Sequence, residues 1–293
     1  MPSICAIVVT HYPDEELAEN LAALRAAVRQ VVVVDNGSGE QTCRRLETLR
    51  GPGVEMILNR ENLGLAAAIN QGIAWAQARE FAWIATFDQD SRIPADYFTL
   101  LLEAWNTCPE RERVAVVSAR IHDARLGRTH SFARVACRDG ETAAFVPFAI
   151  TSGSLISSAA ITAEGPYRED FFIDGVDVEF CLRCRRRGWR ILEAQQAVLE
   201  HRFGEPVRHR FLWMRPAVTP YSALRRYYAM RNRVVLYRAY GMFDPGWLWG
   251  DLRETLRNMA KLVLFEQDRA AKLTATARGC WHGLIGRMGP MRE

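Results

Sequence analysis

Short apolar runs alternate with amphipathic segments along the N-terminal part of the chain. Ile4–Thr10 and Val31–Val34 are apolar and β-branched, which predicts buried strands. Between them, apolar residues recur at helical spacing over Asp14–Arg29, which predicts a helix. The same patterns predict strands over Val54–Leu58, Phe81–Phe87 and Val114–Ser118, and helices over Thr42–Leu49, Leu65–Arg79 and Asp96–Cys108. Such alternation predicts an α/β fold with a mostly parallel mixed sheet and helices on both faces.

The pattern is less regular in the second half of the chain. It predicts, in chain order, a hairpin, a helix, two short strands and two long helices. These lie over Ser131–Cys137 with Thr142–Ile150, Val176–Arg187, Trp189–Leu192 and Val198–His201, then Tyr221–Tyr240 and Gly246–Phe265 or beyond. We therefore expect one domain over residues 1–220, with halves of about 1–118 and 119–220, and a helical C-terminal extension over 221–293.

Composition narrows the class of protein. The 293 residues are 49% hydrophobic and 25% charged, which is typical of a globular chain with a sizeable core. No signal peptide is predicted, and no apolar run is long enough to cross a bilayer. Seven cysteines suggest reduced thiols and a cytoplasmic protein. Cys181 and Cys184 form a lone Cys-x-x-Cys pair, which we interpret as buried thiols rather than a zinc site.

Charge is distributed unevenly along the chain. The first 200 residues carry 21 basic and 27 acidic side chains, whereas the remainder carries 17 and 7. A basic tail suits phosphate or an anionic membrane surface. Tail residues from Trp247 to Val263 can share an apolar helical face, which fits either peripheral membrane binding or packing on the domain or in a homodimer. No motif that reads nucleic acid accompanies the charge, so no nucleic-acid partner is expected.

Polar clusters follow three of the predicted strands. They are Thr10-His11, Asp35-Asn36 and Asp88-Gln89-Asp90. Ligands of open parallel sheets bind at the carboxyl ends of the strands, so three segments that are distant in sequence can meet in one crevice. Two carboxylates separated by one residue suit Mg²⁺ or Mn²⁺ shared with substrate phosphates. A solvated acidic turn is the alternative, which we disfavour because an apolar strand leads into the motif.

Three other positions allow both a functional and a structural interpretation. Asp35 could accept hydrogen bonds from a pyrimidine or a ribose, or it could cap the next turn. The glycines that follow it do not complete a nicotinamide-binding motif, because Thr42 stands where the third glycine is required. Asn70 could reach the crevice, although the small residues around it suit close helix–sheet packing. His201 could be a metal ligand or a structural histidine.

A third acidic cluster lies at a predicted helix start. It contains Asp174, Asp177 and Glu179. Acids at a helix N-terminus interact favourably with the helix dipole, which is a sufficient structural explanation for them. On helical spacing, Asp177 and Glu179 point to different faces, so at most one of them is expected to face a site. A carboxylate placed there could act as a general base towards a hydroxyl group.

Taken together, these motifs resemble the inverting family-two glycosyltransferases, which have the nucleotide-diphospho-sugar transferase (GT-A) fold. The resemblance runs from Ile4 to about Tyr240. It is carried by Val8-Val9-Thr10, Val33 through Ser38, Asn62-Leu63-Gly64 through Asn70, Phe87 through Ser91, and Phe172 through Arg183. Asp-Gln-Asp-Ser and the stretch Arg226 through Asn232 look like bacterial rhamnosyltransferases of O-antigen or other surface-polysaccharide synthesis.

The resemblance implies roles for individual residues. The nucleotide-sugar pocket would be lined by Thr10, Asp35, Asn62, Gly64, Asn70, Asp88 and Gln89. Asp90 would bind Mg²⁺ or Mn²⁺, and His201 matches a histidine that completes the metal site in some members. Asp177 matches the catalytic aspartate, although Val176 stands where the family usually has glutamate. Asp174 is the alternative base.

The expected activity is a metal-dependent, inverting transfer of a sugar to a hydroxyl of a saccharide or lipid-linked saccharide. L-Rhamnose from dTDP-L-rhamnose is the expected donor group, and the enzyme would work in the cytoplasm or at the inner face of the membrane. Two alternatives remain: a non-catalytic subunit that binds nucleotide sugars, and a sugar-nucleotide pyrophosphorylase. The latter requires a glycine-rich, basic loop, which Thr10 through Asp14 does not provide.

Overall fold

The computed structural model describes residues 2–123, 125, 127–133, 142–201, 207–208 and 217–291. Contacts within the chain divide it into two compact units. The first contains residues 1–172 and 176–201, and the second contains residues 173–175 with the chain from Arg202 onward. The domain limits expected at residues 118 and 220 remain predictions.

One mixed sheet organises the first unit. Its strands among the described residues are β1 (Ile4–Thr10), β2 (Gln30–Asn36), β3 (Val54–Asn59), β4 (Trp83–Asp88), β5 (Val114–Asp123), β6 (Arg128–His130), β7 (Ala143–Phe145), β8 (Ser154–Ser157) and β9 (Arg190–Glu200). The strand order is β3-β2-β1-β4-β8-β5-β9-β7, and β6 pairs with β5. Strands β1 to β4 run parallel, as do β5 and β9. The antiparallel strands are β6, β7 and β8, so the predicted mostly parallel mixed sheet is confirmed.

The described residues of the first unit contain six α-helices. They are α1 (Leu17–Ala27), α2 (Glu40–Glu47), α3 (Leu65–Gln77), α4 (Tyr97–Thr107), α5 (Ser158–Glu164) and α6 (Val176–Arg186). The second unit contains α7 (Ala223–Tyr240), α8 (Pro245–Phe265), α9 (Arg269–Ile285) and a short antiparallel pair, β10 (Val207–Arg208) and β11 (Ala217–Val218). Among the described residues, no helix combines the length and hydropathy needed to span a bilayer.

The core of the first unit forms around the apolar strands. In β2, every residue from Val31 to Val34 is inaccessible to solvent, and in β1 the residues Cys5 to Ile7 are equally buried. Strands that are covered on both faces are continuously hydrophobic, which is why they could be predicted from the sequence. Helix α1 contributes its buried leucines, at 17, 21 and 24, whereas Val28, which the helical spacing placed on the same face, lies at the C-cap and is partly exposed.

Two elements of the sheet differ from the expected ones. The runs predicted as separate strands, Trp189–Leu192 and Val198–His201, belong to the single strand β9. Its pairing with β5 shifts from Ala119–Ala194 to Arg120–Val198, so residues 195–197 between the two predicted strands form a bulge. Strand β8 was not predicted, because its four residues are too few to show a period.

Among the described residues, the expected hairpin near residue 131 is shorter than predicted. Residues 134–141 lie outside the described part of the chain. Of the second predicted strand, only Ala143–Phe145 forms β7, and it pairs with β9. The hydroxyl of Ser131 donates to the buried carboxylate of Glu193, so this side chain ties the residue after β6 to β9.

Close packing of α7 on α9 defines the second unit. A Cβ added to Gly283 would lie 2.6 Å from the carbonyl oxygen of Arg231, so only glycine allows this approach. Between α8 and α9, the buried carboxylate of Glu266 forms ion pairs with Arg226 and Lys272. The C-terminal extension is therefore helical, as expected. The sequence predicted one helix from Gly246 to Phe265 or beyond, whereas the chain bends after Phe265 and continues as the separate helix α9.

Gly72 provides a test of the packing between α3 and β1. An added Cβ would lie 2.6 Å from Cγ2 of Ile7. We expect Gly72→Ala to lower the free energy of unfolding by about 1–3 kcal/mol, because over-packing forces strain on the core. Denaturant unfolding measures this change.

Gly250 in α8 is the matched control, because an added Cβ there has no neighbour within 4 Å. Gly250→Ala should leave stability unchanged or raise it by roughly 0.5–1 kcal/mol, as expected for alanine in a helix. Equal effects of the two substitutions would contradict the packing assigned to Gly72.

Candidate active site and metal centre

Asp88, Asp90 and His201 form a compact cluster in the first unit. One ligand atom from each of the three lies within 4.8 Å of the other two. Nε2 of His201 is 3.6 Å from Oδ2 of Asp88, and its Nδ1 is 3.8 Å from Oδ1 of Asp90. The histidine is buried, whereas the two carboxylates are partly exposed. The structure therefore brings together a motif at the end of β4 and a residue that is more than a hundred positions away in sequence.

Backbone pairing and two hydroxyls hold the cluster in place. His201 directly follows β9, and its N–H donates to the carbonyl oxygen of His122 at 3.1 Å. Oγ of Ser91 lies 3.2 Å from Nδ1 of His201 and 2.6 Å from Oγ of Ser152. Oγ of Ser152 also accepts from the N–H of Asp88 at 3.1 Å. The sequence analysis assigned no role to Ser152, although the small residues around it could have indicated that another segment packs closely against it.

The donor set fits a small divalent cation. Two carboxylates and one imidazole can provide oxygen and nitrogen ligands from one side and leave other positions for substrate phosphates. The nearby hydroxyl of Ser91 fixes the orientation of the imidazole, as outer-shell partners do in metal sites. Asp88, which was expected to line the nucleotide-sugar pocket, is thus also a candidate metal ligand together with Asp90 and His201.

Asp35 lies beside Thr10 and is fully buried. Its Oδ1 accepts hydrogen bonds from Oγ1 of Thr10 at 3.0 Å and from Oγ of Ser38 at 2.6 Å, and its Oδ2 accepts from the N–H of Ser38 at 3.0 Å. Burial raises the pKa of the nearby Cys43 thiol, and the charge of Asp35 raises it further. The carboxylate is therefore held rigidly by internal donors. Its contact with a nucleotide base stays a prediction.

The loop that follows β3 is held by hydrogen bonds to Asn36, the last residue of β2. Nδ2 of Asn36 donates to Oδ1 of Asn62 at 3.0 Å, and the same oxygen accepts from the N–H of Gly64 at 2.9 Å. Gly37 has a φ of +84°, and a Cβ there would lie 2.6 Å from the backbone nitrogen of Asn62. Asn36 and Gly37 were not singled out as individual site residues, yet they set the position of Asn62.

Gln89 and Asn70 make internal contacts. Oε1 of Gln89 accepts from the N–H of His11 at 2.8 Å. Nδ2 of Asn70 donates to the carbonyl oxygen of Tyr167 at 2.8 Å and to Oε1 of Glu169 at 3.0 Å, and its Oδ1 accepts from the N–H of Tyr167 at 3.0 Å. Both side chains therefore fasten loops of the first unit. The nucleotide-binding roles expected for them stay predictions.

Asp177 lies in the first turn of α6, as predicted. Its Oδ1 accepts from the N–H of Val178 at 2.8 Å, and the side chain is partly exposed. Glu179 is buried and forms an ion pair with Arg183 at 3.0 Å. Of the two acids that were expected on different faces, Glu179 is thus engaged inside the fold, which leaves Asp177 as the candidate base on this helix.

Asp174 belongs to the second unit and is paired there. Its carboxylate accepts from Nε and Nη2 of Arg225 at distances of 3.1–3.3 Å. Its backbone is in the left-handed region, with a φ of 62°. A carboxylate held by a guanidinium is less available to a substrate proton, so this contact is an argument against Asp174 as the base.

The Cys181 and Cys184 thiols are buried, which confirms the structural interpretation of the pair. Burial raises the pKa of Cys181 to about 12, and Asp177 adds to the shift. Burial also raises the pKa of Cys184 well above its usual range. Neither thiol is therefore a thiolate near neutral pH, and α6 contains no activated cysteine.

Comparisons with known proteins identify relatives over most of the chain. Residues 5–147 match the family model described as Glycosyl transferase family 2. The chain is 27% identical to the dTDP-rhamnosyl transferase RfbF of Shigella flexneri over 251 residues, which cover 80% of each protein. It is 28% identical to the galactofuranosyltransferase GlfT1 of Mycobacterium tuberculosis over 266 residues, which cover 83% of each.

A solved structure with a similar fold is that of GalNAc-T7 with UDP, GalNAc and Mn²⁺. The TM-score is 0.59 at 13% identity, and the match covers 81% of this chain. It covers 48% of the other protein, so this chain spans about half of that length. At this identity the likeness concerns the fold alone.

The metal centre can be tested without any sugar donor. We expect Asp90→Asn to weaken Mn²⁺ binding at least about tenfold, because an anionic ligand is lost from the cluster. Titration calorimetry with MnCl₂ measures the affinity directly.

Asp96→Asn is the control, since Asp96 is exposed, is close in sequence and makes no side-chain capping hydrogen bond. It should bind Mn²⁺ like the wild type. Unchanged affinity in Asp90→Asn would show that the cluster is not the metal site.

Proposed function

We propose that the chain is a family 2 glycosyltransferase that inverts the anomeric centre in a metal-dependent transfer. Residues 5–147 match the model of that family, and the fold is similar to that of GalNAc-T7. The observation that carries the proposal is the cluster of Asp88, Asp90 and His201. It lies at the end of β4, at the carboxyl edge of the sheet where β1 and β2 present Thr10 and Asp35. Oxygen-rich ligands there suit a cation that neutralises a diphosphate.

The proposed chemistry needs one base and no enzyme nucleophile. Asp177 takes the proton of the acceptor hydroxyl. The acceptor oxygen forms a bond to the anomeric carbon from the face opposite the diphosphate. The bond between that carbon and the diphosphate oxygen breaks, and the nucleoside diphosphate leaves with the electron pair. A divalent ion held by Asp88, Asp90 and His201 would stabilise the charge on this leaving group.

Two features support Asp177 rather than Asp174 as the base. Asp177 starts a well-packed helix, in which the ring of Phe180 contacts Tyr167 with 5.0 Å between centroids. Such a helix can hold a carboxylate in a fixed place, as general-base catalysis requires. Asp174, by contrast, is engaged by Arg225.

For the donor, we propose dTDP-L-rhamnose. The support is the likeness to the Shigella flexneri dTDP-rhamnosyl transferase over 80% of both proteins. The galactofuranosyltransferase of Mycobacterium tuberculosis makes a galactofuranosyl donor the alternative. A hydroxyl of a saccharide or lipid-linked saccharide of a bacterial surface polysaccharide is the proposed acceptor. Mn²⁺ is the first ion to test, because a nitrogen ligand favours a transition metal over Mg²⁺.

We also propose that α8 binds an anionic membrane surface. The apolar face expected from the sequence is divided in the structure. Trp247 and Leu262 are buried, whereas Trp249, Leu256 and Val263 are 67%, 70% and 46% exposed. These three residues are seven positions apart, so they form an exposed apolar stripe along one side of the helix. The exposed Arg253 and Arg257 lie close to this stripe on the helix, and tryptophan and arginine together suit a lipid interface. The alternative occupant is the same stripe of a second copy.

The assignment of the base predicts opposite outcomes for two neighbouring aspartates. Asp177→Asn should lower kcat about 10²–10⁴-fold and leave the donor Kd near normal, because the substitution removes only the proton acceptor. Asp174→Asn should keep kcat within a few-fold of wild type, since asparagine tolerates positive φ and the exposed ion pair contributes only about 0–1 kcal/mol. Transfer assays and donor titrations measure both.

Wild-type turnover in Asp177→Asn would remove it as the base, and a larger loss in Asp174→Asn would transfer the role to Asp174. Donor binding without turnover by the wild-type protein, across nucleotide sugars and acceptors, would favour the non-catalytic alternative. Formation of a nucleotide sugar from a nucleoside triphosphate would favour the pyrophosphorylase.

For the membrane, the variant to test is Trp249→Ser combined with Leu256→Ser. The wild type should float with phosphatidylcholine vesicles that contain phosphatidylglycerol, and the double variant should not, because exposed apolar area is lost. Leu224→Ser is the control, since Leu224 is exposed but lies on α7. If neither protein floats and the double variant converts a dimer into a monomer by light scattering, the stripe is a dimer interface instead.

A further inference from the structure

The turn formed by residues 173–175 is tied to α7 by side chains. Nδ2 of Asn232 donates to the carbonyl oxygens of Ile173 at 2.8 Å and of Asp174 at 2.7 Å. Arg225, two turns earlier on α7, binds the Asp174 carboxylate. The next residues of the chain are Val176 and Asp177, with which α6 begins. One amide on α7 thus binds two successive main-chain carbonyls of the turn, and Gly175 alone separates them from the first residue of that helix.

The backbone of this turn needs an external restraint. Asp174 has a φ of 62° and Gly175 a φ of 79°, and Phe172, which directly precedes the turn, has a φ of 65°. A non-glycine residue adopts this region rarely, and a bulky one such as phenylalanine does so at a cost in free energy. Such conformations persist where surrounding contacts over-determine them, and they are frequent at functional sites.

Asn232 is itself fixed in place. It is 1% exposed, and its Oδ1 accepts from Nε of Arg231 at 3.0 Å. Arg231 is fully buried, and its guanidinium lies 4.9 Å from the ring centroid of Tyr228. A buried amide whose donor and acceptor are both used cannot turn away from the two carbonyls without leaving polar groups unpaired.

The two tethers differ in strength. The ion pair between Arg225 and Asp174 is partly exposed, with side chains that are 46% and 23% accessible, so solvent screens it. The two hydrogen bonds that Asn232 donates to the turn are part-buried and connect to the main chain, so they restrain the backbone itself. The restraint on the turn therefore depends mainly on Asn232.

We propose that Asn232 is a positioning residue that fixes the turn preceding α6 and, through the main chain, the place of Asp177. This inference rests on the proposed role of Asp177 as the base. Asn232 lies on α7, beyond the residues that match the family model. The residue acts through Asp177 and does not touch the reacting atoms.

The test replaces the amide by a carboxylate of the same shape. Asn232→Asp keeps an acceptor for Arg231 but loses both donors and faces two carbonyl oxygens with a negative charge. We expect kcat to fall about 10–100-fold with the donor KM and Kd within about twofold, since misplacing a catalytic group by a small distance costs rate rather than donor affinity. Asn232→Gln, which retains the two donors on a longer arm, should lie between this variant and the wild type.

The control is Tyr237→Phe, also on α7, which removes a hydrogen bond to Asp251 and leaves the turn untouched. Its kcat should be unchanged, whatever its effect on Tm. Hydrogen exchange of the amides of residues 173–177 should be faster in Asn232→Asp than in Tyr237→Phe, and this readout does not depend on turnover.

Three results would overturn the proposal: unchanged kcat in Asn232→Asp, unchanged exchange in the turn, or a joint loss of kcat, donor affinity and Tm that Tyr237→Phe reproduces. If the wild-type enzyme itself transfers no sugar, the proposed function fails. The exchange measurement then still decides whether Asn232 restrains the turn.

Discussion

The parallel pairing of β1 with β2 and β4 is the constraint on which the candidate site depends. In this register Thr10 lies opposite Asp35, and Val9 lies opposite Asp88. The apolar residues before these positions are buried on both faces, so a shift of one residue would move side chains from one layer of the core to the other. Hydrophobic packing thus fixes the register, and the register places the polar residues at a single edge of the sheet.

The histidine of the cluster depends on the bulge in β9. Before the bulge Ala119 pairs with Ala194, and after it His122 pairs with Glu200. An uninterrupted ladder would instead bring His122 opposite Ala197, so the bulge moves the end of β9 by three residues. A bridge between Arg92 and Glu200 then fastens this end to the loop that follows β4. The result is that His201 faces Ser91 and the two aspartates.

This dependence explains what could and could not be predicted from the sequence. The buried strands, the polar residues at their ends and the start of α6 follow from local patterns, since apolar runs and helical spacing act over a few residues. The bulge, the four-residue β8 and the partners of His201 depend on pairing between distant segments. Asn232 belongs to a stretch that carries the family resemblance, but its contacts could not be predicted, because a buried amide in a basic helix looks like any other polar position until its two carbonyl partners are known.

The aspartates of this chain differ by their partners rather than by their motifs. Asp35 has both oxygens engaged by Thr10 and Ser38 in the core, so its carboxylate is held in one orientation. Asp174 neutralises a guanidinium. Asp88 and Asp90 lie 3.6 and 3.8 Å from the imidazole, beyond good hydrogen-bond distance, and both are partly open to solvent. Two carboxylates converging on one imidazole concentrate negative charge, which a divalent cation would compensate more fully than a protonated histidine, because it brings two charges and bonds directly to oxygen.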